Sequence, residues 1–139
     1  MNFLLDTNAV SEWVKPRPDP GLMDWLATID EDRVFLSVIT LAELRRGIDR
    51  MPGGRRRHRL DEWLQNDLPL RFEARLLPID DRIAEEWGRT VARREASGRP
   101  ISAMDAFVAA TAAIHALTLV TRNVEDFRSS VEVLDPWTS

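Results

Sequence analysis

Four acidic residues of this chain lie where strand-like segments end or helix-like segments begin. Asp6 follows the apolar run Phe3-Leu4-Leu5, Glu43 and Asp105 fall in the first turns of predicted helices, and Asp126 follows a late strand candidate. Carboxylates that converge repel one another, so they must take up protons or share a cation. The chain has no cysteine, and these segments contain no histidine. The sequence therefore predicts a site for a hard divalent ion, Mg²⁺ or Mn²⁺.

Each acid also has a structural interpretation. Glu43 comes three residues after Thr40, and Asp105 comes three residues after Ser102, which is the spacing of a capping box at a helix N-terminus. The acid at position 6 could accept hydrogen bonds from the amides of the helix behind it, and the acid at position 126 could cap the short segment 127–129. Taken singly, these positions leave both interpretations open.

Apolar runs that alternate with amphipathic segments indicate the fold. Strands are predicted over 2–5, 33–37, 74–79, 118–121 and 131–134. Helices are predicted over 7–13, after Asp19, from Thr40, and over about 56–68, 80–96 and 102–116. This alternation predicts an α/β fold of three layers, with a mainly parallel sheet of four to five strands. Ligands of such sheets bind outside the carboxyl ends of the strands, where these four acids fall.

Composition narrows the class of protein further. With 139 residues, 44% of them hydrophobic and 30% charged, the chain is typical of one globular domain, here taken as residues 1–139. The absence of cysteine excludes a disulfide scaffold and a thiolate zinc site. No apolar run approaches the roughly 18 residues of a membrane span, so we expect a cytoplasmic protein without membrane contact.

One segment is strongly basic although the formal net charge is −4. Between Arg45 and Arg59 the chain has seven arginines and one acid, Asp49, which gives this segment about +6. Such a run is either a solvated helix face in an arginine-rich chain or a surface for nucleic acid. Of the two histidines, His58 lies in this segment and is expected at the surface, whereas His115 is expected in the core.

Four motifs in order carry a resemblance to a known family. They are Phe3-Leu4-Leu5-Asp6-Thr7-Asn8, Ser37-Val38-Ile39-Thr40-Leu41-Ala42-Glu43-Leu44, Asp105-Ala106 and Thr121-Arg122-Asn123-Val124-Glu125-Asp126-Phe127. Together they resemble the motifs of the PIN domain, and most closely those of the VapC and FitB-type ribonuclease toxins of type II toxin–antitoxin pairs. The resemblance spans nearly the whole chain and implies a PIN-like α/β/α fold.

The resemblance also implies roles for individual residues. Metal binding is expected at Asp6, Glu43 and Asp105, with Asp126 as a further catalytic acid. Many family members have Asp where this chain has Asn123, so either Asn123 makes a neutral contact or Asp126 reaches the metal. The side chains expected to orient the carboxylates or a water molecule are Thr7, Asn8, Thr121 and Asn123. The arginines expected to contact RNA are Arg45, Arg46, Arg55, Arg56 and Arg57.

The implied activity is hydrolysis of RNA phosphodiester bonds with Mg²⁺ or Mn²⁺ as cofactor. The implied partners are an RNA substrate, a VapB-like antitoxin and a second copy of the chain, with DNA contacted only through the antitoxin. We expect the antitoxin to place Arg or Lys near the carboxylates, because a guanidinium matches a carboxylate in two bonds.

Three other classes of protein also gather acids at a sheet edge or share this fold. Phosphatases of the haloacid dehalogenase type need a second acid where this chain has Asn8, and receiver domains need a late lysine, whereas Lys15 is the only lysine. A PIN-like module that binds RNA or protein without cutting is the remaining alternative. Concentrated negative charge argues against it, because a site that only holds phosphate would not be acidic.

Overall fold

A five-stranded parallel sheet forms the centre of the computed structural model, which describes residues 1–138. Its strands are β1 (Phe3–Leu5), β2 (Val34–Ser37), β3 (Leu76–Leu77), β4 (Thr118–Val120) and β5 (Val133–Leu134). They lie in the order β3-β2-β1-β4-β5, and every neighbouring pair is parallel. This confirms the predicted parallel sheet, with five strands.

Helices connect the strands. They are α1 (Thr7–Trp13), α2 (Pro20–Thr28), α3 (Val38–Asp49), α4 (Arg55–Glu62), α5 (Leu68–Phe72), α6 (Asp81–Ala96), α7 (Ala103–Ile114) and α8 (Val124–Phe127). A π-helical turn, Trp63–Asp67, joins α4 to α5, and 3₁₀ turns occupy Glu31–Arg33 and Glu73–Arg75. The helix predicted over about 56–68 therefore corresponds to α4 and this π-helical turn.

The start of α3 differs from the prediction. β2 runs directly into α3, so Ser37 is the N-cap and its Oγ accepts a hydrogen bond from Ile39 N at 3.0 Å. Thr40 then lies inside the helix and is fully buried. The capping-box interpretation of Thr40 and Glu43 is therefore wrong, which leaves the Glu43 carboxylate available for another role.

The end of α7 gives a second correction. The helix ends at Ile114, and Ala116 adopts a left-handed conformation with φ of 53°. His115 is exposed at this turn rather than buried in the core. His58, by contrast, is exposed as predicted and lies 3.2 Å from Glu62 Oε1 through its Nε2.

Alternate residues of the central strand face the two apolar cores. Phe3 and Leu5 belong to one core, which the first five helices cover, whereas Leu4 belongs to the other, which includes α7 residues such as Val108 and Ala112. Period-2 alternation in a strand buried on both faces produces this arrangement. The result is the predicted three-layer structure, with α6 packed against α7 on the second face.

The C-terminal segment returns to the start of α2. Thr138 N donates to Asp19 Oδ2 at 3.0 Å, and Gly21 N donates to Thr138 Oγ1 at 3.0 Å. A Cβ atom at Gly21 would lie 2.5 Å from the Pro136 carbonyl oxygen, so this close approach requires glycine. The segment thereby places Trp137 beside α1.

Within residues 1–138, no helix has the length and apolar character needed to cross a membrane.

Candidate active site

The carboxyl ends of the central strands open into a cavity of about 410 Å³. Its lining residues are Asp6, Thr7, Asn8, Ser11, Glu12, Lys15, Glu43, Asp105, Arg122, Asn123 and Trp137. The cavity lies where the strand order reverses, since β2 flanks β1 on one side and β4 flanks it on the other. This switch point is the expected ligand site of an open parallel sheet. Three of the four acids singled out in the sequence line the cavity.

Asp6 is the most deeply buried of these acids, with 5% of its surface exposed. It caps α1, and its Oδ1 accepts a hydrogen bond from Thr7 N at 2.8 Å. Its Oδ2 accepts from Thr121 Oγ1 at 2.8 Å and from Asn8 Nδ2 at 3.3 Å. Burial raises the pKa of Asp6 to about 6, and the charges of Asp105 and Glu43 act in the same direction. A cation at this carboxylate would relieve both effects.

A threonine connects Glu43 to the first strand. Thr7 Oγ1 lies 2.5 Å from Glu43 Oε1, to which it donates, and 3.2 Å from Thr40 Oγ1. Since Thr7 follows β1 and Glu43 lies on α3, this bridge fixes one carboxylate relative to the other. The hydrogen bond from Thr7 therefore fixes the orientation of the Glu43 carboxylate.

Asp105 lies in the first turn of α7. The N-cap Ser102 accepts a hydrogen bond from Asp105 N through its Oγ at 3.2 Å, which confirms the predicted start of this helix. Burial raises the pKa of Asp105, and the negative charge of Asp126 adds to this rise, while Arg94 and Ser102 oppose it. The half-buried carboxylate thus faces the cavity from the opposite side of the sheet to Glu43.

Asn123 and Asp126, the two residues that could complete the site beside Asp6, Glu43 and Asp105, have different surroundings. Asn123 lines the cavity, and its backbone N–H donates to Thr121 Oγ1 at 3.0 Å. Asp126 lies on α8 outside the cavity lining, with an exposed side chain, and its carbonyl accepts from Arg94 Nη1 at 3.0 Å. Asp126 acts on the cavity through its charge at Asp105.

Carboxylate oxygens without thiol or imidazole groups are the donor set of Mg²⁺. Within the part of the chain that the structure describes, no three Asp, Glu or His side chains are close enough together to hold one ion directly. Mg²⁺ keeps several of its waters and is commonly bound through one or two carboxylates, so the cavity fits a water-rich Mg²⁺ site.

The five arginines predicted to contact RNA divide into two groups. Arg45 Nη2 lies 2.7 Å from Asp49 Oδ1 and 2.7 Å from Asp61 Oδ1, and Arg57 Nη1 donates to Met51 O at 3.1 Å. These two guanidinium groups are thus engaged within the protein. The other three are exposed at the surface of α3 and α4: Arg46, Arg55 and Arg56.

Comparison with known proteins identifies the family. The model of the PIN domain matches residues 3–129. The chain belongs to the PIN-domain family. It is 36% identical to Toxin FitB of Neisseria gonorrhoeae over 97% of this chain and 98% of that protein, and 33% identical to VapC ribonuclease Y4jK of Sinorhizobium fredii over 97% of each. A solved FitAB complex bound to a DNA fragment superposes with a TM-score of 0.91 at 33% identity, covering 99% of this chain and 96% of that one.

The cavity of this PIN domain has further lining residues that were not predicted from the sequence as site residues. They are Ser11, Glu12, Lys15, Arg122 and Trp137. Glu12 is buried, its Oε1 accepts from Lys15 Nζ at 3.0 Å, and its Oε2 accepts from Asp19 N at 3.0 Å. The hydrogen bond from Lys15 is the main cause of its lowered pKa. The i, i+3 spacing of Glu12 and Lys15 was the one available signal for this pair.

We expect the metal-free PIN domain to gain stability from Asp6 as the pH falls from 7 to 4. The pKa of Asp6 is about 6 in the folded protein and near its ordinary value of 3.8 when unfolded. The folded state therefore binds more protons in this window, and its free energy of unfolding rises as the pH falls. The gain is at most about 3 kcal/mol.

The measurement is the free energy of unfolding in chelator, for the wild type and for Asp6→Asn, across this pH range. Other groups titrate in both proteins, so the difference between the two isolates Asp6. The free energy of unfolding of the wild type minus that of Asp6→Asn should increase as the pH falls. A difference that does not change with pH would show that Asp6 ionises normally.

Proposed function

We propose that this PIN domain is the endoribonuclease toxin of a toxin–antitoxin pair and that Asp6, Glu43 and Asp105 bind the Mg²⁺ or Mn²⁺ it uses, in part through water molecules that the ion retains. One observation carries the proposal: three carboxylates from three separate segments line one cavity at the switch point of the sheet. A phosphodiester would be repelled by such a cavity unless a cation were bound in it. The similarity to a VapC ribonuclease supports RNA as the substrate.

A bound divalent ion would lower the pKa of a water molecule and neutralise the oxygen that leaves phosphorus. The residues of the chain do the positioning. Thr121 and Asn8 fix Asp6 Oδ2, and Thr7 fixes Glu43 Oε1. Asp105 contributes a third carboxylate to the cavity from the first turn of α7.

The fourth acidic position is assigned to Asn123 rather than to Asp126. Asn123 lines the cavity and carries no charge, whereas Asp126 lies outside the lining. Asp126 adds negative charge near Asp105 without reaching the cavity. The cavity therefore has one acidic side chain fewer than a site with Asp at position 123, which favours one bound ion over two.

The partners follow from the same chemistry. A cationic side chain can occupy an acidic cavity in place of a metal ion, so we expect an antitoxin whose Arg or Lys contacts these carboxylates. The likeness to a FitAB complex bound to DNA supports a second protein as partner, with DNA bound through that protein. The surface arginines Arg46, Arg55 and Arg56 remain available for RNA phosphate, and a homodimer is expected as for the family.

The test is cleavage of single-stranded RNA by the purified protein with Mg²⁺ or Mn²⁺. We expect chelation with EDTA to slow cleavage at least about a hundredfold and an excess of either ion to restore it. RNA with a 2′-deoxy nucleotide at the cleaved position should still be cut, because an attacking water does not use the 2′-hydroxyl. RNA binding without cleavage under all these conditions would instead favour a non-cutting module.

A further inference from the structure

Lys15, the only lysine of the chain, lies at the junction of two depressions. One is the carboxylate cavity. The other is a neighbouring groove of about 210 Å³ whose walls include Arg56 and the apolar side chains Leu60 and Trp63. The two depressions share three residues: Ser11, Lys15 and Glu43. A ligand that extends from the carboxylates into the groove passes these three shared residues, of which Lys15 is the one cation.

The ammonium group of Lys15 is bound by the carboxylate of Glu12. Its Nζ lies 3.0 Å from Glu12 Oε1, and Glu12 is buried with its other oxygen bound to Asp19 N. The lysine side chain itself is 53% exposed. An ammonium carries three N–H donors, and among the described residues Glu12 is its one hydrogen-bond partner. Two donors are thus directed away from Glu12.

Stability alone is a weak reason for this ion pair. An ion pair at i, i+3 whose lysine is half exposed contributes about 1 kcal/mol or less. Burying the Glu12 carboxylate also costs desolvation free energy. The ion pair with Glu12 instead fixes the position of the Lys15 ammonium at the edge of an acidic cavity.

We infer that Lys15 binds the backbone phosphate next to the one that is cut, and that the adjoining groove carries the RNA strand from there toward Arg56. The inference rests on the proposed function and names a positioning residue for it. The strand carries one negative charge per nucleotide, so its approach to the carboxylates needs a cation outside the metal site. Lys15 supplies that charge where the two depressions meet.

The test compares Lys15→Gln with Lys15→Arg in RNA cleavage at saturating Mg²⁺. We expect Lys15→Gln to raise KM about tenfold with less than a threefold change in kcat, and Lys15→Arg to restore KM to within about threefold. The slope of log(1/KM) against log salt should become shallower by about 0.7 in Lys15→Gln, the value for one phosphate contact on single-stranded nucleic acid.

Two controls make the outcome decisive. Arg33→Gln removes the same charge from an exposed residue just before β2, at the opposite edge of the sheet, and should leave KM and the salt slope unchanged. Glu12→Gln breaks the ion pair but keeps the lysine charge, so it should raise KM without changing the slope. An unchanged slope in Lys15→Gln overturns the inference while the proposed function stands, whereas a wild type that cuts no RNA overturns both.

Discussion

Asp6→Asn should lower the rate of RNA cleavage by roughly a thousandfold, since it removes charge from the centre of the site where transition-state charge develops. Asn has nearly the same shape as Asp. Its side-chain oxygen can still accept the 2.8 Å hydrogen bond from Thr7 N, so α1 should keep its cap. The amide nitrogen of Asn cannot accept the hydrogen bonds that Thr121 Oγ1 and Asn8 Nδ2 donate to Asp6 Oδ2, so the loss is assigned to the site only if the variant unfolds at a temperature close to that of the wild type.

The measurement is the initial rate of cleavage of one RNA at saturating Mg²⁺, with thermal unfolding as a check on folding. Asp24→Asn is a matched control, because Asp24 is an exposed acid on α2 outside the cavity lining. It should cleave at the wild-type rate. Cleavage by Asp6→Asn within tenfold of the wild type would place the reaction elsewhere on the protein.

Asp105 and Asp126 should respond very differently to the same substitution. Asp105→Asn should weaken Mn²⁺ binding at least about tenfold, because this half-buried carboxylate lines the cavity. Asp126→Asn should weaken it less than about threefold, because an exposed side chain outside the lining acts only through its field. The measurement is the rise in unfolding temperature as Mn²⁺ is added to each variant.

Two other outcomes for the Mn²⁺ affinities of these variants would contradict this expectation. Equal losses in the two variants would show that α8 moves to bring Asp126 onto the metal and that Asn123 is incidental. A larger loss in Asp126→Asn would contradict the assignment of Asp105 as a metal ligand.

The predictable part of the site is the part that depends on strand ends. Asp6 directly follows a short apolar strand, so its place at the carboxyl edge of a parallel sheet follows from local pattern alone. Asp105 could be placed because Ser102 marks the start of the buried helix α7. The arginine segment could also be predicted, because it is a run of like charges in the sequence. The salt bridges of Arg45 to Asp49 and Asp61 could not, because they depend on how α4 packs against α3.

The unpredicted part depends on contacts between distant segments. Trp137 reaches the cavity because the C-terminus folds back onto Asp19 and Gly21, more than a hundred residues away along the chain. Lys15 follows α1 in a region whose proline-rich sequence gives no helical or strand period. The wrong helix start at Thr40 has a local cause, since Ser37, the last residue of β2, is itself a good N-cap.

The central claim is that the carboxylate cavity of this PIN domain is a divalent-metal site, and direct titration with Mn²⁺ by calorimetry at pH 7.5 tests it. We predict saturable binding to the wild type, competition by Mg²⁺, and at least a tenfold loss of affinity in Asp6→Asn, with Asp24→Asn unchanged. Binding of equal affinity in wild type and Asp6→Asn, or no binding to the folded wild type, would contradict the claim.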